Sequence, residues 1–151
     1  MAITGFHHCS FTVTNIEKTI KFYSEILGLK LIRRSINRVD KLGIALGLKL
    51  PKAIIGIAMM EVGGTQIEFI EYIEPKAQPC PQDPSIVGSG HIAFMVDDIY
   101  ATKGKLESMG IKFNSEINVV QEGAAKGLKW VYFRDYDGIT LEIVEDKKNK
   151  Q

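Results

Sequence analysis

Residues 90–98 read GHIAFMVDD, and an earlier stretch nearly repeats them, with HCSFTVTN at 8–15 against HIAFMVDD at 91–98. Superposed, His8 falls on His91, Phe11 on Phe94, Val13 on Val96 and Asn15 on Asp98. The match runs on through Ile16 on Ile99 and Thr19 on Thr102, and after a short gap GLKL at 28–31 meets GIKF at 110–113. A second pair ends each copy, GTQIEFIE at 64–71 lying on GITLEIVE at 138–145. The chain therefore reads as two copies of one unit, each opening on a histidine strand and closing on a glutamate strand. A repeat of this kind decides the architecture before any single element does.

Outward from the repeat, 6–13 alternates and is rich in β-favouring residues, which predicts a strand. Period 2 puts His8, Ser10 and Thr12 on one face and the more apolar Cys9, Phe11 and Val13 on the other, under a helix. Asn15 is a good N-cap, and Ile16, Ile20, Tyr23 and Leu27 recur at helical spacing until Gly28. Strands are expected at 29–36, 54–62 and 65–73, the last two joined by a hairpin turn at Gly63-Gly64. The intervening 37–52 reads as a loop with a short helical turn. Residues 74–89 hold Pro75, Pro79, Pro81 and Pro84 without periodicity and read as a linker.

The second copy repeats the order. It predicts a strand at 90–96, a helix at about 98–109 capped by Asp97 or Asp98 and ended by Gly110, then strands near 111–120, 129–134 and 139–145. The glycine- and alanine-rich 121–128, QEGAAKGL, is expected to be mobile. The expectation is an α+β fold of two tandem βαβββ modules, about 5–73 and 90–146, in a single domain of 151 residues.

A composition with 45% hydrophobic and 25% charged residues is that of an ordinary globular protein. The net charge of +1 gives no electrostatic reason to expect nucleic acid or an anionic membrane as partner. The N-terminal MAITGFHHCS has no basic stretch followed by an apolar run, and the longest apolar run, 53–60, is too short to span a bilayer. Cys9 and Cys80 form neither a CxxC pair nor a disulfide framework, so a reducing cytoplasm is expected.

In a βαβββ unit the helix covers one sheet face and leaves the other for different work. On that free face each copy places a first-strand histidine, His8 or His91. On the last strand it groups Gln66, Glu68, Ile70 and Tyr72 in one copy and Thr140, Glu142 and Val144 in the other. Ile67 with Phe69, and Leu141 with Ile143, turn toward the helices. If the copies pair about a pseudo-twofold axis, His8, Glu68, His91 and Glu142 converge as two imidazoles and two carboxylates. That donor set suits an octahedral Ni, Co, Mn, Fe or Zn with two positions left for water or substrate. Carboxylates buried there without a cation would be costly to keep charged. His7 faces the other way and reads as supporting or structural, as do Glu71 and Glu145.

The ordered segments HHCSFTV, IKFYSEILGLKL, TQIEFIEYI, SGHIAFMVDDI and VYFRDYDGITLEIVE resemble the vicinal oxygen chelate superfamily, which spans glyoxalases, bleomycin resistance proteins and extradiol dioxygenases. The likeness is to its glyoxalase I and methylmalonyl-CoA epimerase branches. It implies one metal ligand from each end of each module, at His8, Glu68, His91 and Glu142, in a cupped, incompletely closed β-barrel. It also implies one divalent metal per site (Ni, Zn, Co, Mn or Fe), commonly a homodimer, and a small-molecule substrate.

The implied activity is that of a lyase or isomerase of the lactoylglutathione lyase type. The ion chelates two adjacent substrate oxygens and lowers the energy of an enediolate, while Glu142 or Glu68 moves the proton. Two positions depart from bacterial glyoxalase I. Thr12 stands where its first-strand arginine holds the glutathione carboxylate, and Tyr72 stands at its asparagine. Arg33, Arg34, Arg38, Lys126 and Lys129 are the other cations that can hold an anion. Extradiol dioxygenases of the superfamily use two histidines and one glutamate on iron, and the metal-free bleomycin-binding proteins lack these ligands, so the presence of Glu68 favours the glyoxalase-like reading.

Overall fold

The computed structural model describes residues 2–40, 52–78 and 83–148. The chain divides into two compact units, Met1–Pro79 and Cys80–Gln151. In the first, β1 (His8–Val13) is followed by α1 (Ile16–Lys21), a π-helical turn (Phe22–Ile26), β2 (Lys30–Asp40), β3 (Lys52–Val62) and β4 (Thr65–Glu74). In the second, β5 (His91–Met95) is followed by α2 (Ile99–Ser108), β6 (Asn118–Val119), β7 (Lys129–Arg134) and β8 (Thr140–Glu145). The strands form two separate four-stranded sheets, in the orders β1-β4-β3-β2 and β5-β8-β7-β6. In each, the first and last strands of the unit pair in parallel and the remaining pairs are antiparallel. This is the α+β, twice-repeated βαβββ arrangement that the sequence predicts.

The helices start by the same device in both units. Asn15 is extended and its side chain accepts the Lys18 N–H at 2.9 Å, while Asp98 accepts the Ala101 N–H at 2.9 Å. A glutamate from the last strand satisfies the first N–H of each helix. Glu71 Oε2 accepts from Ile16 at 2.9 Å and Glu145 Oε2 from Ile99 at 3.1 Å. The two glutamates expected to be structural thus lock the closing strand of each unit to the start of its helix. At the β3–β4 hairpin Gly63 and Gly64 have φ of 55° and 75°, the positive values that a two-residue turn of this twist demands.

Between helix and sheet lies the apolar set that the alternation selects. In the first unit Val13, Ile16, Tyr23, Met60, Ile67 and Phe69 are buried, with the Tyr23 and Phe69 rings 4.4 Å apart. In the second the core is Ile99, Leu106, Val131, Phe133, Leu141 and Ile143. Burying such a side chain contributes about 1.5–3 kcal/mol, so these two layers dominate the stability of their units.

Several elements differ from the sequence reading. The helix expected to run to Gly28 is α-helical only to Lys21, where the Ser24 hydroxyl donates to the Ile20 carbonyl at 2.7 Å and the following turn widens. Strand β2 continues to Asp40, through the start of the expected loop. The remainder of that loop, 41–51, and the linker positions 79–82 lie outside the described residues. The strand expected over 111–120 reduces to Asn118–Val119 and a single bridge from Phe113 to Phe133. Here Ser115 and Asn118 side chains both bond to the Glu116 carbonyl, at 2.8 and 3.2 Å, and compete with ladder pairing. Residues 121–128 form turns closed by the Val120 N–H on the Leu128 carbonyl and the Gly127 N–H on the Val120 carbonyl, both 2.9 Å.

Candidate metal centre

Strand register places the four candidate ligands. The parallel pairing of β1 with β4 sets His8 opposite Gln66 and Ser10 opposite Glu68. Pairing of β5 with β8 sets His91 opposite Thr140 and Ala93 opposite Glu142. The offset is identical, so in each unit the histidine lies diagonal to the glutamate on one sheet face. The side chains meet: His8 Nε2 is 3.6 Å from Glu68 Oε2, and His91 Nε2 is 3.1 Å from Glu142 Oε2.

Those spacings can be tested against an ion. Two donors at about 2.0–2.2 Å from one centre lie roughly 3.0 Å apart in octahedral and 3.4 Å apart in tetrahedral geometry. The His91–Glu142 pair falls in that interval and the His8–Glu68 pair exceeds it by an amount that side-chain rotation absorbs. Each unit offers one imidazole nitrogen and one carboxylate oxygen, the donor type that borderline divalent cations take. In each unit two such ligands meet, and among the described residues no group of three or more His, Cys, Asp or Glu side chains is placed to hold a metal ion. Glu142 is only 8% exposed, whereas the side chains of His8 and His91 are 33% and 47% exposed.

The two pairs are supported differently. In the first unit the Ser10 hydroxyl donates to Glu68 Oε2 at 3.1 Å, and His7 Nδ1 lies 2.6 Å from His8 Nδ1, one ring donating to the other. That contact engages Nδ1 of His8 and leaves Nε2 directed at Glu68, the kind of orienting bond that metal-binding histidines carry. The second unit has Ala93 and Gly90 at the corresponding places. Its support comes from β7, where Tyr132 sits directly opposite Glu142 and hydrogen-bonds to its carboxylate. The Tyr132 ring meets His91 edge to face, 5.4 Å between centroids at 82°, and Trp130 packs beside it at 5.2 Å. Burial, then the charge and hydrogen bond of Glu142, hold the Tyr132 pKa above its ordinary value. The phenol therefore stays a proton donor at neutral pH.

Tyr132 is the site residue that sequence reasoning missed. Alternation along β7 gives its parity, but only the β7–β8 register puts it across from Glu142 rather than one strand position away. Of the cations considered for anion binding, two are engaged elsewhere. Arg34 is paired with Glu17 at 2.6 Å, and Lys129 with Glu145 at 3.0 Å.

Comparison with known proteins agrees with the fold. Residues 5–143 match the model of the Glyoxalase/Bleomycin resistance protein/Dioxygenase superfamily, and the chain belongs to that superfamily. It is 28% identical over 143 residues to a 2-epi-5-epi-valiolone epimerase of Actinomyces sp., covering 91% of this chain and 77% of the relative. It is 29% identical over 144 residues to the lactoylglutathione lyase of Haemophilus influenzae, covering 95% and 93%. A glyoxalase family protein from Bacillus cereus superposes with a TM-score of 0.80 at 23% identity, covering 97% of this chain and 96% of that one, which shows the shared fold.

Proposed function

We propose that His8, Glu68, His91 and Glu142 together hold one divalent metal, Ni, Zn, Co, Mn or Fe, and that the protein is a glyoxalase-like lyase or isomerase. One observation carries the reading: the same histidine–glutamate pair recurs in the same register in both sheets. Two symmetric coincidences of this kind are hard to obtain from strand alternation alone. Relatives named as an epimerase and as a lactoylglutathione lyase support reactions that move a proton beside a carbonyl. The proposed substrate is a small molecule with two adjacent oxygens, and the proposed assembly is a cytoplasmic homodimer.

When bound, the ion supplies Lewis acidity that favours an enediolate over the parent carbonyl compound. The chain's own residues do the rest. The histidines, oriented through His7 and Tyr132, bind through Nε2. A glutamate oxygen, of Glu68 or Glu142, takes the proton from the substrate carbon and returns it to the neighbouring one. The largely buried Glu142 has few water contacts to compete for that proton.

Elemental mass spectrometry tests the reading, on full-length protein purified without chelators or a histidine tag, beside His91→Ala. About one transition ion per chain, lost in the variant, is expected for a four-ligand site. Protein that stays metal-free after exposure to each of the five ions refutes it.

A further inference from the structure

The two half-sites are related by the repeat, yet their third strands differ in chemistry. Met59 lies opposite Glu68 on β3, and Tyr132 lies opposite Glu142 on β7. Met59 is buried and offers a thioether in place of a hydroxyl. Tyr132 meets both candidate ligands of its unit, the carboxylate through its hydroxyl and the imidazole through a near-perpendicular ring contact. Trp130, two residues along the same face, packs against the Tyr132 ring, 5.2 Å between centroids.

We propose that Tyr132 is the positioning residue of the second half-site, its hydroxyl fixing the Glu142 carboxylate and its perpendicular ring fixing the plane of His91. The inference rests on the metal-binding reading above and deepens it. A carboxylate on a strand has free rotation about its last bonds, and an open histidine has two ring orientations. Holding both before the ion arrives removes that freedom from the cost of binding. A hydrogen bond from a neutral phenol also leaves Glu142 one oxygen to offer and orients which one it is. In the first half-site the same tasks fall to Ser10 and His7, on a different strand and through different atoms, so the two carboxylates are not interchangeable.

The test uses the full chain, stripped of metal and titrated with CoCl2 by calorimetry, with the visible absorption of bound Co(II) recorded alongside. Tyr132→Phe removes only the hydroxyl and keeps the ring, so the fold is retained. Tyr100→Phe, which loses an exposed phenol on α2, is the control. Loss of a hydrogen-bonded partner of a metal ligand lowers affinity about 10–100-fold, and that drop is expected for Tyr132→Phe with an altered Co(II) spectrum and an unchanged melting temperature of the metal-free protein. Tyr100→Phe is expected to match the wild type in all three measurements.

Wild-type affinity and spectrum in Tyr132→Phe would overturn the positioning role and leave the metal site standing. A fall in affinity matched by a lower melting temperature of the metal-free variant would overturn it as well, since the hydroxyl would then be supporting the sheet. A wild type that takes up no Co(II), nor any of the other ions, would overturn both proposals.

Discussion

Replacing Glu71 by alanine tests how each unit is tied together. Ile16 is 1% exposed, and its N–H, the first of α1, donates to Glu71 Oε2 at 2.9 Å from the last strand of the unit. Water has no ready access to that N–H, so alanine leaves a buried donor without its charged acceptor. Hydrogen bonds to charged groups contribute about 1.5–3 kcal/mol, and a carboxylate at a helix N-terminus adds about 0.3–1 kcal/mol through the helix dipole. Glu71→Ala should therefore cost about 2–3 kcal/mol. Glu71→Gln keeps an oxygen acceptor in place and should lose only the charge contribution, under about 1 kcal/mol. Urea unfolding followed by far-ultraviolet circular dichroism reads both. With a slope of about 1–3 kcal/mol per molar urea, the alanine variant should unfold roughly 0.7–3 M earlier. Glu74→Ala, at the exposed end of β4, should move the midpoint little, since surface changes usually stay within about 0.5 kcal/mol. A Glu71→Ala midpoint no lower than that of Glu74→Ala would refute the capping argument. Equal losses for alanine and glutamine would show that charge alone carries the effect.

Three further outcomes follow from the same geometry. The matching Glu145 is held below its ordinary value of 4.5, first by the Ile99 N–H and next by Lys129. Its stabilising contribution is therefore complete above pH 4.5 and is lost as pH falls through the depressed folded value. Glu145→Gln should accordingly flatten the acid limb of the melting-temperature profile, and a wild-type-like acid limb would contradict this. Gly56→Val should destabilise by about 1–3 kcal/mol through overpacking, because a Cβ there already meets Ile16 Cγ2 at 3.4 Å and the added methyls have no room. Thermal unfolding measures it, and an unchanged melting temperature would mean that α1 shifts freely on β3. Phe69→Ala removes a fully buried ring that packs on Tyr23, and a loss of about 3–5 kcal/mol in the same assay is expected.

How far the sequence reveals this molecule depends on the range of the interaction behind each feature. Strand parity and helix starts are local: Ile67 and Phe69 face the helix because apolar side chains alternate with polar ones, and Asn15 and Asp98 cap because short polar side chains reach back to a backbone N–H. The four candidate ligands were legible for a different reason, namely that the repeat made two weak signals coincide. Local side-chain bonds that override a strand pattern were not legible. Nothing in 111–120 announces that Ser115 and Asn118 will take the Glu116 carbonyl and interrupt a strand, because the competition depends on a turn that only the folded chain makes.

Tyr132 and the two capping glutamates carry the same lesson into the site. IEFIE and LEIVE each hold two glutamates three residues apart, so opposite parity sends the first to the free face and the second to the helix. Composition cannot tell them apart, but strand parity does. The consequence is mechanical as well as chemical. One short strand, β4 or β8, presents a candidate metal ligand on one side and anchors the helix on the other. A shift of that strand by one residue would exchange the two glutamates and lose both contacts at once. The capping bond therefore fixes the register that places the ligand. Loosening Glu71 or Glu145 should thus weaken the proposed metal uptake as well as stability, although neither residue faces the candidate ligands' side of the sheet.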